Sequence, residues 1–248
     1  MKLMKYVVVA TMLVSAFSQS RAQEKMKPED TEVWTPILAE VNTDTKNKVP
    51  SDAIVLFDGS SLDAWQSAKK EGRANWTLEG GVLTVKPGEG DIKTKQEFND
   101  YQLHIEWRSP LVIKGEGQGR GNSGIFMQGL YEVQVLDNYN NKTYVNGQAA
   151  SLYKQHIPLV NAVKKPGDWH TYDIIWKAPQ FKKDGSVTEK ARITILHNGV
   201  LVQNNVELEG PTEYIGIPKY KVHGAGPIVL QDHGDLASFR NIWIRPLP

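Results

Sequence analysis

The feature that most constrains the fold of this chain is a series of short segments in which apolar and polar residues alternate, separated by glycine, asparagine, aspartate and proline. This alternation is typical of β-strands that bury one face. The clearest example is the segment Arg192–Val202, in which Asn198 and Gly199 favour the positive φ angles of a type I′ hairpin turn. The segments lack the period of amphipathic helices, so the sequence predicts an all-β protein.

Comparable patterns cover most of the remaining chain. Trp76–Val85 has the pattern of a second hairpin, with Gly80 and Gly81 in its turn. Further strands are predicted at Ile54–Phe57, Tyr101–Arg108, Gly124–Gln128, Tyr131–Leu136, His170–Lys177, Ile228–Gln231 and Phe239–Arg245. About ten strands without intervening helices favour a sandwich of two antiparallel sheets over an α/β fold.

The first residues have the pattern of a secretory signal peptide. Lys2 and Lys5 precede the apolar stretch Tyr6–Phe17, and Ser20 and Ala22 are small residues at the positions that a signal peptidase recognises. The apolar stretch has twelve residues, fewer than the roughly 20 that span a membrane. We therefore expect cleavage after Ala22 and a secreted or periplasmic protein, without membrane insertion of the mature chain.

The remainder of the chain divides into two parts. Residues 23–52 are polar and contain three prolines, so we predict an N-terminal extension or linker there. Residues 53–248 are predicted to form the folded domain. Within that domain the segment Tyr144–Lys165 has no clean period, and we predict a long loop that carries function.

Composition excludes several classes of function. Twenty-nine Lys and Arg residues against 28 Asp and Glu residues provide no long-range field to attract nucleic acid, and no basic cluster is interleaved with aromatic residues. The chain has no cysteine, which excludes disulfides, thiolate metal sites and a cysteine nucleophile. Any metal ion would therefore need histidine or carboxylate ligands.

The strand that ends at Asp137 carries the first candidate site residues. In the run from Glu132 to Asp137, Val133 and Val135 are expected to face the core, which leaves Glu132 and Gln134 on the opposite face. An acid beside an amide can hydrogen-bond sugar hydroxyls. The alternative is an ordinary solvated strand face.

Neighbouring predicted strands repeat this arrangement and favour the first interpretation. Their polar candidates are His104, Glu106, Asn122, Gln128, Gln231 and His233. These side chains offer hydrogen bonds more than charge, so we expect one cleft on a sheet face that binds a neutral polyhydroxylated ligand. A three-ligand site for a divalent cation among His104, Glu106, Glu132 and His233 remains open, although no close-spaced metal motif is present.

The glycine-rich segment Gly119–Gly124 matches the dinucleotide-binding pattern formally. That chemistry needs a helix after the glycines, and a strand-like sequence follows instead, so the context disfavours a nucleotide site. Two alternatives remain open. Either a tight loop presents Arg120 and Asn122 at a sheet rim, or the segment is a flexible turn.

Several segments together resemble the 3-keto-disaccharide hydrolase family, which is common in exported proteins of Bacteroidetes. They are Asp52–Gly59, Gln102–Pro110, Gly121–Gln128, Tyr131–Asp137, Tyr153–Pro158, Gly226–Gly234 and Phe239–Pro246. The resemblance covers about residues 53–246. It implies a concanavalin-like jelly-roll fold and an enzyme that cleaves glycosides whose sugar has been oxidised at the 3-hydroxyl.

The same stretch is also similar to laminarinases and lichenases, whose acid motif is E-x-D-x-x-E. Here Gln134 replaces the middle aspartate and Asp137 the last glutamate. Without a bulge, Asp137 faces away from Glu132, so the close carboxylate pair of retaining hydrolysis is not supplied. Ordinary β-glucan hydrolysis is therefore disfavoured.

A ketone at C3 permits a route that needs no such pair. It acidifies the C2 hydrogen, so a base can remove that proton, the C1 substituent can leave, and water can add back. On chemical grounds the base would be Glu132 or His233, with Arg120, Lys154 or a divalent cation polarising the ketone. Other polar residues would position hydroxyls, namely Gln134, Glu106 and Gln231.

Two other classes of function remain open at this stage. A non-catalytic carbohydrate-binding module would need the same amides and aromatic rings, because sandwich folds of this type serve both purposes. A purely structural envelope protein would have no convergent polar cleft. An enclosed titratable carboxylate or imidazole beside the Tyr144–Lys165 loop would favour the enzyme.

Overall fold

The structure, a computed structural model, describes residues 26–248. The predicted signal peptide, residues 1–22, lies outside the described residues. The described chain divides into two units, with the boundary between Glu40 and Val41. Of the first unit, the described residues 26–40 contain one 3-10 helix, Pro28–Thr31, and are exposed.

The second unit is built of β-strands and three short 3-10 helices, Lys46–Lys48, Gly117–Gly119 and Val145–Gly147. The strands, in chain order, are β1 (Ile54–Phe57), β2 (Trp65–Ser67), β3 (Thr77–Glu79), β4 (Val82–Thr84), β5 (Ile92–Thr94), β6 (Tyr101–Arg108), β7 (Ser123–Met127), β8 (Tyr131–Val135), β9 (His170–Lys177), β10 (Gln180–Phe181), β11 (Val187–Glu189), β12 (Arg192–His197), β13 (Val200–Glu207), β14 (Val229–Leu230) and β15 (Ser238–Pro246). Among residues 26–248, no helix is long and apolar enough to cross a membrane.

The strands form two main antiparallel sheets. The larger sheet has the order β13-β12-β9-β6-β15-β4-β3, and β1 also pairs with β15. The smaller sheet has the order β2-β5-β14-β7-β8, and β10 and β11 form a separate hairpin. This architecture confirms the prediction of an all-β jelly-roll sandwich.

The core forms from the apolar face of each sheet, as the alternation predicts. On β6, Leu103, Ile105 and Trp107 are fully buried, while the residues between them are partly exposed. On β8, Val133 and Val135 belong to the same core. The two sheets are also joined by a hydrogen bond, because the hydroxyl of Tyr172 on β9 donates to the backbone carbonyl of Gln134 on β8 (2.9 Å).

The predicted hairpin turn at Asn198 and Gly199 is confirmed by their φ angles of 54° and 78°. The sequence patterns missed the short strands β2, β5, β10 and β11. Each has only two or three residues, which is too short to display an alternating period.

Strand β8 lies at the edge of the smaller sheet, and part of the long loop covers its free edge. The backbone N–H of Gln134 donates to the carbonyl of Ser151, and the N–H of Tyr153 donates to the carbonyl of Glu132. These bonds satisfy backbone groups that an edge strand leaves unpaired. The same hydrogen bonds place the side chain of Tyr153 on the face of the sheet on which Glu132 lies.

Candidate functional site

A cavity of about 420 Å³ lies on the face of the smaller sheet, over β7 and β8. Its walls combine polar and aromatic side chains. They are Asn122, Phe126, Glu132, Gln134, Tyr153, Thr212, Tyr214, Gln231 and His233. Five residues proposed from the sequence therefore meet here, while the roles assigned to them remain predictions.

Glu132 and Gln134 face this cavity because β8 pairs with β7 without a bulge. The register runs regularly from Ser123 opposite Val135 to Met127 opposite Tyr131. The predicted orientation of the strand is therefore confirmed, with the valines in the core and the two polar side chains at the cavity.

Glu132 is the enclosed carboxyl group of the cavity, only 6% exposed. Burial raises the pKa of Glu132 to about 8, and the nearby negative charge of Asp91 adds to the effect. A carboxyl group tuned to this range can exchange a proton near neutral pH, which suits general acid-base chemistry.

Amide groups line the cavity beside Glu132. The Nε2 of Gln134 donates to the Oδ1 of Asn122 (3.0 Å), and the Nδ2 of Asn122 donates to the backbone carbonyl of Gln118 (2.7 Å). The Oε1 atoms of Gln134 and Gln231 are buried and accept no hydrogen bond from any described residue. Two buried amide acceptors in the cavity wall thus lack a partner among residues 26–248, which is unusual for buried polar atoms.

The segment after β14 is held rigidly against the sheet. The N–H of Gln231 donates to the carbonyl of Gly124, and the hydroxyl of Ser123 donates to the carbonyl of Gln231. The Oδ2 of Asp232 accepts from the backbone N–H groups of Gly88 and Gly90. His233 therefore lies at the exposed rim of the cavity on a fixed backbone.

Sequence reasoning missed four residues of this region. Tyr153, Thr212 and Tyr214 lie on loops without a periodic pattern, and Asp91 precedes the three-residue strand β5. Tyr153 does fall within the long loop predicted to carry function. The others are placed by contacts between distant segments: the hydroxyl of Thr212 accepts from the N–H of Glu132, and Asp91 accepts from the N–H of Asp232.

His104 and Glu106 do not reach the cavity, so their predicted place in one cleft with Glu132 is wrong. They lie on β6, in the other sheet, on the face opposite the core. His104 Nδ1 is 2.6 Å from an oxygen of Asp173, and Arg240 Nε donates to Glu106 (2.6 Å). Alternation fixes which residues share a face, but it does not assign a strand to a sheet.

Gln128 does not line the cavity either. The alternation of β7 ends at Met127, because Gln128 takes a positive φ of 52° in the turn that follows. Its Nε2 donates to the backbone carbonyls of Phe98 and Gly224. Its predicted place on the cleft wall is therefore wrong.

Arg120 and Asp137 form an ion pair away from the cavity. Arg120 Nε donates to Asp137 Oδ2 (2.8 Å), and its NH2 group donates to the carbonyl of Tyr139. Both residues line a different cavity of about 600 Å³. Asp137 thus pairs with a cation and does not form the glucanase-type carboxylate pair with Glu132.

Lys154 lies next to the cavity and not in its wall. Its ammonium group donates to the backbone carbonyl of Tyr214 (2.6 Å) and lines an adjoining cavity of about 590 Å³.

The four proposed metal ligands are separated between the two sheets, so that hypothesis is wrong. His104 and Glu106 lie on β6, whereas Glu132 and His233 line the cavity on the smaller sheet. Among residues 26–248, no three histidine or carboxylate side chains come close enough together to hold a metal ion.

The motif segments that resemble a known family occupy the strands and the loop described above. The family model of the 3-keto-alpha-glucoside-1,2-lyase-like domain matches residues 52–245. The chain belongs to this family. The resemblance inferred from the sequence motifs is therefore confirmed.

Individual proteins of known name or structure are similar to this chain over most of its length. A curated protein of Bacteroides thetaiotaomicron named 3-keto-disaccharide hydrolase is 29% identical over 97% of this chain and 96% of its own length. A crystal structure of a Parabacteroides distasonis protein, named as a proposed glycosyl hydrolase, is 56% identical. It covers 90% of this chain and 97% of that one, with a TM-score of 0.86. A second Parabacteroides distasonis structure, 20% identical with a TM-score of 0.59, shares the fold over 79% of this chain and 94% of its own.

Proposed function

We propose that the protein cleaves glycosides whose sugar ring carries a ketone at C3, in the cavity that contains Glu132. The single observation that carries the proposal is the enclosed carboxyl group of Glu132, with its raised pKa, among unpartnered amide oxygens. The names of the relatives support the substrate class, since one is called a 3-keto-disaccharide hydrolase.

In the proposed reaction, ionised Glu132 removes the proton at C2. The C3 ketone stabilises the resulting enolate, and the bond between C1 and the leaving oxygen breaks as that oxygen takes up a proton. Water then adds across the C1–C2 double bond, and Glu132 releases its proton to solvent. The net reaction is hydrolysis to a 3-keto sugar and the released alcohol. Because one base suffices, the route is compatible with the position of Asp137, which pairs with Arg120.

The same arrangement supports roles for the surrounding groups. Gln134, Gln231 and Asn122 would hold the sugar hydroxyls, because their amides line the cavity. His233 and the hydroxyl of Tyr153 would hydrogen-bond the ketone oxygen, where negative charge develops in the enolate. Arg120 and Lys154 do not line this cavity, so neither is assigned the role of polarising the ketone.

The test is to incubate the purified protein with a 3-keto-disaccharide and with its unoxidised parent, in light and in heavy water. The proposal predicts cleavage of the oxidised sugar alone, with solvent deuterium at C2 of the released 3-keto sugar. Controls without protein measure exchange of the substrate and of the free keto sugar.

Three results would contradict parts of the proposal. Cleavage of both sugars would remove the requirement for the ketone. Cleavage without deuterium at C2 would exclude elimination and leave direct displacement at C1. Binding of the oxidised sugar without cleavage would favour the carbohydrate-binding module instead.

We also propose that the protein acts outside the cytoplasm. The support is the leader pattern of Lys2, Lys5 and the apolar stretch Tyr6–Phe17. Mass spectrometry of the protein from the native cell envelope is expected to give Gln23 as the first residue. Intact Met1 in that fraction would contradict the proposal.

A further inference from the structure

A second cavity adjoins the one that contains Glu132. It has a volume of about 590 Å³ and is lined by Tyr144, Asn146, Lys154, Tyr214, Ile215 and Gly216. Tyr214 lines both cavities. The hydroxyls of Tyr144 and Tyr153, one from each cavity, lie 2.6 Å apart. A ligand bound beside Glu132 therefore has a continuous surface on which to extend.

The two cavities differ in chemistry. The cavity of Glu132 is rich in amide groups, which suit the hydroxyls of a sugar. The adjoining cavity offers tyrosine rings and the side chain of Ile215, with Asn146 as its one amide. Tyr214 and Ile215 are 71% and 82% exposed, so their apolar surfaces are open to a ligand.

The ammonium group of Lys154 lies among the tyrosine rings. It is 4.3 Å from the ring centre of Tyr214, 5.6 Å from that of Tyr153 and 6.0 Å from that of Tyr144. One of its protons is used by the carbonyl of Tyr214. Two remain, so the ammonium group can also stabilise a negative oxygen.

We propose that this second cavity holds the leaving group of the substrate and selects an aromatic one, a phenol linked through its oxygen to C1 of the oxidised sugar. The inference rests on the proposed function and names its substrate class. A phenyl ring stacks on tyrosine, whereas a second sugar would need more hydrogen-bonding groups than this cavity supplies.

The reaction balances without a further reactant. Glu132 takes the C2 proton, the C1–O bond breaks, and its electron pair leaves on the phenol oxygen as phenolate. Lys154 stabilises that charge and passes a proton to the oxygen, and water adds across the C1–C2 double bond. Glu132 then releases its proton to solvent, and solvent restores one to Lys154.

Gly147 provides a way to move one ring of the cavity. A Cβ atom at Gly147 would stand 2.1 Å from Cε2 of Tyr144, so Gly147→Ala must displace that ring. Gly119 provides the matched control, because a Cβ atom there would meet nothing within 4 Å. Neither glycine has a positive φ, so alanine is compatible with both backbones.

The experiment measures binding of unoxidised glucosides, which the proposed reaction does not consume. Titration calorimetry compares phenyl with cyclohexyl glucoside, as both anomers. We expect wild type and Gly119→Ala to bind the phenyl compound about three- to tenfold more tightly. Tyr214→Leu and Gly147→Ala are expected to lose this preference.

Equal affinities for the two glucosides in the wild type, no binding of either, or a preference that survives in both variants would overturn the proposal. The calorimetric result does not depend on catalysis, because the glucosides are unoxidised. Turnover of a 3-keto-disaccharide with no phenyl preference would leave the proposed function standing and remove only the aromatic subsite.

Discussion

Gly124 lies directly beside the carboxylate of Glu132 across the strand pair. A Cβ atom at Gly124 would stand 2.7 Å from Oε1 of Glu132 and 2.9 Å from the ring of Phe126. The absence of a side chain at Gly124 therefore makes room for the carboxyl group over the sheet.

Replacing Gly124 tests whether the position of this carboxyl group matters. Gly124→Ala must displace Glu132 Oε1, the mobile end of its side chain, so we expect a loss of turnover of at least about tenfold with little change in stability. Activity assays and urea unfolding measure the two effects. Gly119→Ala is the control, and wild-type activity in Gly124→Ala would show that the placement is not critical.

Glu132→Gln separates proton transfer from binding. Glutamine keeps the size and hydrogen bonding of the side chain but cannot act as a base. We expect kcat to fall by roughly 10²–10⁴ while the affinity for a 3-keto-glycoside changes little. Weakened affinity with nearly normal kcat would instead assign Glu132 to holding a hydroxyl.

The pH profile follows from the environment of Glu132. Because burial raises its pKa to about 8, the basic form predominates only above that pH. We expect kcat/KM to rise with pH, to reach half its limiting value near pH 8 and to level off above about pH 9. A profile that falls with pH in this range would identify Glu132 as a proton donor.

The same carboxyl group affects stability in a predictable direction. A folded pKa of about 8, above the ordinary glutamate pKa of 4.5, means that ionisation opposes folding. Wild-type stability should therefore fall as pH rises from about 4.5 to 8. The Tm of Glu132→Gln should increase relative to that of the wild type between pH 5 and pH 9. A Tm difference that stays constant over this range would contradict the raised pKa.

The buried pair His170 and His197 should make the fold sensitive to acid. Their rings are linked at 2.8 Å, and burial lowers the pKa of His170 to about 4 and that of His197 to about 3. Both values lie below the ordinary histidine pKa of 6.5, so the two histidines bind protons in the unfolded chain at a higher pH than in the folded protein. The free energy of unfolding should therefore fall as pH drops from 6.5 towards 4.

Urea unfolding at pH 7 and pH 5 tests this sensitivity. Measurements in the Glu132→Gln background exclude the opposite contribution of Glu132. Combining His170→Gln with His197→Gln should flatten the dependence. An unchanged slope would mean that the two histidines titrate normally.

Arg120 is expected to contribute to stability through Asp137. The Asp137 side chain is almost completely buried, so Arg120→Gln should cost about 3 kcal/mol in the free energy of unfolding. Arg245→Gln, at the more exposed pair with Asp52, is the control and should cost less than about 1 kcal/mol. Similar costs for both would contradict a special role of the buried pair.

Local patterns account for the parts of the site that could be predicted. The alternation of Glu132, Val133, Gln134 and Val135 determines which side chains meet the core, because successive residues of a strand point to opposite faces. The positions of Gln231 and His233 were predictable because both residues lie at or just after the end of the predicted strand Ile228–Gln231. The Asn198-Gly199 turn follows from its own φ preferences.

The sequence by itself determined the strand character of each long segment, the face that each strand buries and the family. What only the tertiary structure decided was the partner of each strand and the path of each loop. His104 and Glu106 have the same alternating pattern as Glu132, yet β6 belongs to the other sheet. Tyr153, Tyr214 and Asp91 reach the site through contacts between distant segments, which are set by packing of the whole chain and leave no local period in the sequence.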